Sequence, residues 1–145
     1  MKKPLYIAAM SSLLLASILL VYVFYLLFYP FKVIDYYNQP FPVTRSSKAY
    51  APGEVVEVMI NYCRYIDTPA LVNKRLIDHV DIPLPSHTGT FGMGCHEIIS
   101  ANTVIPEYVP PGQYYIDYTV EFKINALRTV TVETRTEPFY VVSRS

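Results

Sequence analysis

Tyr114-Tyr115-Ile116-Asp117-Tyr118-Thr119-Val120-Glu121-Phe122-Lys123-Ile124-Asn125 alternates apolar and polar side chains over most of its length. The even positions are Tyr, Ile, Tyr, Val, Phe and Ile, and from Asp117 the odd ones are Asp, Thr, Glu, Lys and Asn. A period of two puts the even side chains on one face, which predicts a half-buried β-strand. After the connection Ala126-Leu127-Arg128, Val130 and Val132 alternate with Thr129, Thr131 and Glu133, and apolar residues return at Phe139 to Val142. The two stretches are expected to pair as a long antiparallel hairpin. The apolar parity changes between Val132 and Phe139. This predicts a bulge or bend near Thr136 to Pro138, where Pro138 cannot donate to a ladder.

Upstream, Val56, Val58, Ile60 and Tyr62 alternate with Glu57, Asn61 and Cys63, a third strand opened by the turn Pro52-Gly53. Weaker strands are expected at Ile34 to Tyr37 or Pro42 to Thr44, Ala70 to Ile77, Val80 to Leu84 and His96 to Ala101. The stretch Tyr36 to Ser47 is expected along a sheet edge as the first strand. Seven or so short strands with Pro- and Gly-rich turns predict an all-β domain, an antiparallel two-sheet sandwich over residues 31–145.

Residues 1–30 differ in kind. Leu5 to Tyr29 is an apolar run without a charge, preceded by Lys2 and Lys3. At about 1.5 Å per residue it covers a hydrocarbon core about 30 Å thick, so a single transmembrane helix is expected. A cleavable signal would have a shorter apolar stretch and small residues at its end, whereas Val21 to Tyr29 is bulky and aromatic. Pro30 stops the helix, and Tyr29 and Phe31 suit the headgroup level. Lys2, Lys3 and the amino terminus outweigh Lys32 beyond the span, which predicts a cytoplasmic N-terminus and an extracytoplasmic β domain, periplasmic or at a cell surface. Ala8, Ser12 and Ala16 recur every four residues, a small-xxx-small face suited to homo-oligomerisation within the bilayer.

Twelve Lys and Arg balance twelve Asp and Glu. Two of the lysines precede the apolar run, so the β domain is slightly acidic and carries no basic run, which argues against a nucleic-acid partner. Cys63 and Cys95 fit an oxidising compartment, and a disulfide between them is expected. It would close a loop of about 31 residues, for a chain-entropy gain on the order of 3.7 kcal/mol. Cys63 shares the parity of Glu57 and Asn61, and Cys95 follows Gly92-Met93-Gly94 ahead of a predicted strand, so the bond is expected to be a peripheral clamp. The alternative use of these residues is a copper site, with Met93, Cys95 and His96 joined by Cys63 or Met59, since thiolate, thioether and imidazole suit Cu(I). His79 reads as a turn residue. Ser86-His87 lacks a glycine-elbow context, and the histidines lack zinc spacing, so neither catalytic residues nor a cofactor are expected. Among fourteen tyrosines, Tyr114 and Tyr118 read as core, while Tyr65 and Tyr115 fall off the apolar face and are the expected contact surface.

Pro52-Gly53 before a strand, Pro110-Pro111-Gly112-x-Tyr114-Tyr115 opening the penultimate strand, and a final hairpin strand resemble immunoglobulin-like sandwiches of bacterial and phage surface or envelope proteins. With the anchor and the Gly-Cys-His turn, the chain also looks like small phage-encoded membrane proteins. The resemblance implies a fold and brings no catalytic residue. The function expected is a non-enzymatic module held at the lipid bilayer that binds a protein partner. The alternative is a structural component of an envelope or virion assembly.

Overall fold

The computed structural model describes residues 3–143. Lys2, one of the basic residues used to orient the span, lies outside the described residues, as does the chain from Arg144. Helix α1 (Lys3–Phe28) carries the apolar run. Its stretch Tyr6–Phe28, 23 residues with a mean hydropathy of 2.4, is long and apolar enough to cross a membrane, and the rest of the chain buries none of it.

Nine strands follow among the described residues: β1 (Ile34–Tyr36), β2 (Ala49–Tyr50), β3 (Val55–Arg64), β4 (Ala70–Ile77), β5 (Asp81–Gly89), β6 (Gly94–Val104), β7 (Gly112–Asn125), β8 (Arg128–Arg135) and β9 (Phe139–Val141). One sheet has the order β1-β3-β6; the other has the order β2-β9-β7-β4-β5, with β8 also paired to β7. The alternation in β7 decides the arrangement. Tyr114, Ile116, Tyr118, Val120 and Phe122 are all buried, and they join Val56, Val58, Ile60 and Tyr62 of β3 in one apolar cluster shared by both sheets. Tyr114 also donates its hydroxyl to the Pro110 carbonyl at 3.0 Å, so its polar end is satisfied.

The parity change falls where the sequence put it. Thr134 and Thr136 are buried, then Phe139 and Val141. The bend between them lets Thr136 Oγ1 accept from the Ile116 N–H at 3.0 Å, and the Thr136 N–H donates to the Ile116 carbonyl at 2.9 Å. β8 therefore pairs with one half of β7, and β9 with the other.

Three expectations need correction. There are nine strands where about seven were expected, because the last strand is split at this bend and two-residue β2 carries no readable periodicity. The pairing is not wholly antiparallel: β2 runs parallel to β9, and Phe41 bridges Thr136 in parallel. Tyr36 to Ser47 is not one edge strand. It leaves the first sheet after β1 and crosses to the second, with Val43 bridging Val58 on the way. Glu137 pins this crossing, its carboxylate accepting from the Val43 N–H at 2.9 Å and from Lys48 Nζ at 2.5 Å. Desolvation raises the Glu137 pKa, but these hydrogen bonds hold it below the usual value.

Candidate functional site

Each sheet leaves edges, and an edge exposes unpaired backbone donors and acceptors that can template another strand. β5 and β6 flank the same opening between the sheets. A cavity of about 130 Å³ is lined there by His87 of β5, by Ile98 and Asn102 of β6, and by Tyr118 and Thr134. Thr134 Oγ1 and His87 Nδ1 are buried without a protein partner. The rest of its wall is mainly apolar, including Tyr36, Phe41, Ile60, Val72 and Phe91, so these polar atoms are isolated in an apolar lining.

The two edges differ in chemistry. β5 reads Asp81-Ile82-Pro83-Leu84-Pro85-Ser86-His87-Thr88-Gly89, and its pairing with β4 shifts register between Val72 and Lys74. Two prolines delete donors and a bulge breaks the line, so this edge is closed to further pairing. β6 reads Gly94-Cys95-His96-Glu97-Ile98-Ile99-Ser100-Ala101-Asn102-Thr103-Val104 and contains no proline and no lysine or arginine. β3 holds one side of it, and no strand among the described residues pairs with the other. From Gly94 to Ser100 the register with β3 is unbroken, and Ile99 is 60% exposed. A straight, weakly charged, partly apolar edge of this length can accept an extended peptide.

β6 is fixed by contacts other than its ladder. Cys63 and Cys95 stand directly opposite in the β3–β6 register, with their sulfurs at disulfide distance. Near the other end, the β3–β6 register shifts between Ser100 and Thr103, and the Asn102 carbonyl there accepts from Lys74 Nζ of β4 at 2.5 Å. Burial pushes the Lys74 pKa down. Thr103 shares a hydrogen bond with the Tyr118 hydroxyl of β7, whose pKa burial pushes up to about 12. β6 is thus tied both to its neighbour and to the opposite sheet.

The residues singled out from sequence fare unequally. Cys63 lies on the outer face of its strand, as parity requires, yet it is only 7% exposed, because β3 is central and both β1 and β6 flank its end. Cys95 is not ahead of a strand but inside one, since the backbone already pairs at Gly94, which takes a φ of +89°. With the sulfurs engaged by each other, the copper set loses its thiolates. The His96 Nε2–H donates to the Met93 carbonyl at 2.6 Å, and no group of three His, Cys, Asp or Glu among the described residues could hold a metal.

Tyr65 and Tyr115 do not form one surface. Tyr65 follows β3 at the end where Arg64 faces Ile34, near the helix exit. Its hydroxyl donates to Asp35 Oδ2 at 3.1 Å. Hydrogen bonds with Tyr37 and then Asp35 raise its pKa to about 12. Tyr115 is at the opposite end of the β domain, facing Ile77 in the register, with the Arg135 guanidinium 5.8 Å from its ring centre. Ala8, Ser12 and Ala16 are exposed on α1, and the Ser12 hydroxyl is turned to the Ala9 carbonyl at 3.3 Å. His79 sits in the loop closed by the Asp78 N–H on the Val80 carbonyl. Ser86 and His87 lie on β5.

Sequence reasoning missed the β6 edge, Lys74 and Arg64. Arg64 is buried, donates to the Phe91 carbonyl and stacks over Phe122 with its Cζ 5.8 Å from the ring centre. Its place directly after the alternating run Val56 to Tyr62 was the available signal.

No family model and no curated protein matches the chain. Among solved structures it is similar to the Pseudomonas fluorescens alkylpurine DNA glycosylase AlkC bound to DNA containing an abasic site analog, with a TM-score of 0.39 and 12% identity over 69% of this chain. The match spans 30% of that protein's length, and a likeness this distant carries no argument about fold or function.

Proposed function

We propose that this chain is a single-pass membrane protein whose extracytoplasmic, immunoglobulin-like sandwich binds a protein partner by taking up its extended segment along β6. The observation that carries this reading is the contrast between the two edges of one opening, β5 closed by Pro83 and Pro85 and β6 open from Gly94 to Ser100. The immunoglobulin-like assignment is supported by strand order. β1-β3-β6 corresponds to an A-B-E sheet, and β9-β7-β4-β5 to a G-F-C-C′ sheet. It is supported as well by Tyr114, which stands near the start of the penultimate strand and hydrogen-bonds backbone four residues upstream, as a tyrosine corner does. The anchor rests on the length and hydropathy of α1, and the N-in orientation on the basic residues before it.

The test is site-specific photocrosslinking in native membranes, with p-benzoylphenylalanine replacing Ile99 on β6 or Thr88 on β5. A discrete heavier adduct from position 99 with none from position 88 is expected. Equal labelling from both, or none from either, overturns the reading. An adduct of twice the chain's own mass would mean that copies pair with each other, as a structural assembly requires.

A further inference from the structure

The β7–β8 hairpin reaches the end of the membrane helix. β4 ends its pairing with β7 at Ala70 opposite Phe122, and the hairpin runs on past it to Asn125 and Arg128. There Asn125 Nδ2 donates to the Leu26 carbonyl at 2.7 Å, and Arg128 donates to the Pro30 carbonyl at 2.9 Å. The first bond has a clear cause. In a continuing helix the Leu26 carbonyl would be served by the N–H of residue 30, but Pro30 has none. Close to the hydrocarbon boundary an unpaired carbonyl is costly, and the hairpin supplies the donor. Within Tyr6–Phe28, Leu26 is the one residue whose exposure is only intermediate.

The surroundings of this contact are apolar and basic together. Leu127, at the tip, is 60% exposed, and Phe31, just beyond the helix, is 79% exposed. The helix end carries two aromatic pairs, Phe24 with Phe28 and Tyr25 with Tyr29, their ring centres 4.4 and 4.9 Å apart. Lys123 and Arg128 flank the tip, and no carboxylate among the described residues forms an ion pair with either. Lys32, two residues after Pro30, is engaged with Asp35 at 3.1 Å. Apolar side chains beside basic ones at the level of a helix end are the composition of an interfacial footprint.

We propose that the β7–β8 tip is a lipid-contact surface. Leu127 and Phe31 enter the interfacial layer, Lys123 and Arg128 face anionic headgroups, and the domain is docked on the bilayer instead of swinging from a free tether. The docking also fixes the direction in which β6 faces. The inference rests on α1 being a membrane span, and the experiment separates the two.

The chain contains no tryptophan, so a single introduced one reports its own surroundings. The full chain, carrying Leu127→Trp, Leu15→Trp or Tyr108→Trp, is reconstituted into phosphatidylcholine–phosphatidylglycerol vesicles with and without brominated acyl chains. Leu15→Trp reports the span, and Tyr108→Trp the loop before Gly112, at the opposite end of β7 from the tip. Blue-shifted, bromine-quenched emission is expected from positions 15 and 127, and neither effect from 108. Adding Arg128→Glu to Leu127→Trp is expected to weaken the quenching. If position 15 is quenched while 127 behaves like 108, the lipid contact is overturned and the anchor stands. If position 15 is not quenched, both fall.

Discussion

β5 and β6 border the same opening, yet they are built to opposite rules. β5 carries Pro83, Pro85 and a bulge, and its outer-face tie is the ion pair of Asp81 with Arg75 of β4 at 3.0 Å. β6 carries no proline, and it is held from behind by the Cys63–Cys95 contact, by Lys74 and by Tyr118. A strand whose edge is closed needs only its ladder. A strand that presents its edge must be rigid without help from that side, or it frays before a partner arrives. The difference teaches that, at this opening, stabilisation is concentrated behind the edge left available.

Removing the clamp is expected to have the largest effect. Cys63→Ser forfeits on the order of 3.7 kcal/mol of loop-closure entropy, equivalent to roughly 10–20 °C in melting temperature. Calorimetry reads the shift, and hydrogen exchange should show protection lost in β6 while β5 is unaltered. An unchanged melting temperature in both Cys63→Ser and Cys95→Ser would mean that the two sulfurs are not bonded in the folded protein. On intact cells, a membrane-impermeant maleimide should label the wild-type thiols only after an external reductant.

Next is Tyr118→Phe, which removes the bond to Thr103 and should cost about 1 kcal/mol near neutral pH. The pH dependence has a definite sign. The folded pKa of Tyr118, about 12, lies above the ordinary 10.0, so its contribution is complete below pH 10 and is lost as pH rises toward 12. The variant should therefore show a shallower alkaline loss of stability than wild type in chemical-denaturation series across that window. A loss as steep as in the wild type would assign the alkaline unfolding to other groups.

Opening the closed edge is the converse test. Pro83→Val with Pro85→Val restores two backbone donors to β5, and concentration-dependent self-association is expected in sedimentation where wild type shows less. If the double variant behaves as wild type, the prolines are not what closes β5. Smallest in stability is Ile99→Lys, a surface change expected to stay within about 0.5 kcal/mol. A lysine on the open edge should nonetheless abolish the crosslinked adduct formed from a photocrosslinker at Glu97. Persistence of the adduct at full strength would place the contact away from this face.

Legibility in the sequence followed the physics of each element. β7 was plain because one of its faces is buried along nearly its whole length, from Tyr114 to Phe122. The bend at Thr136 to Pro138 was plain because a single added residue inverts parity. β6 was poorly legible: most of it is exposed on both faces, so burial imposed no period on its residues. β2 was invisible, since its two residues are strand only through a parallel partner far along the chain. Tyr65 and Tyr115 were grouped by composition, but the fold sends them to opposite ends of the domain.

The sequence by itself determined the apolar span, the β character of the rest, the inward residues of β3 and β7 and the break in the last strand. Each depends on local periodicity or on the covalent limits of proline. Only the tertiary structure decided that Cys63 faces Cys95, that Lys74 reaches the Asn102 carbonyl, that Asn125 replaces the donor Pro30 lacks, and that β6 is an edge. These are pairings between residues remote in sequence, and an edge is defined by the neighbour a strand does not have, which no stretch of its own residues can encode.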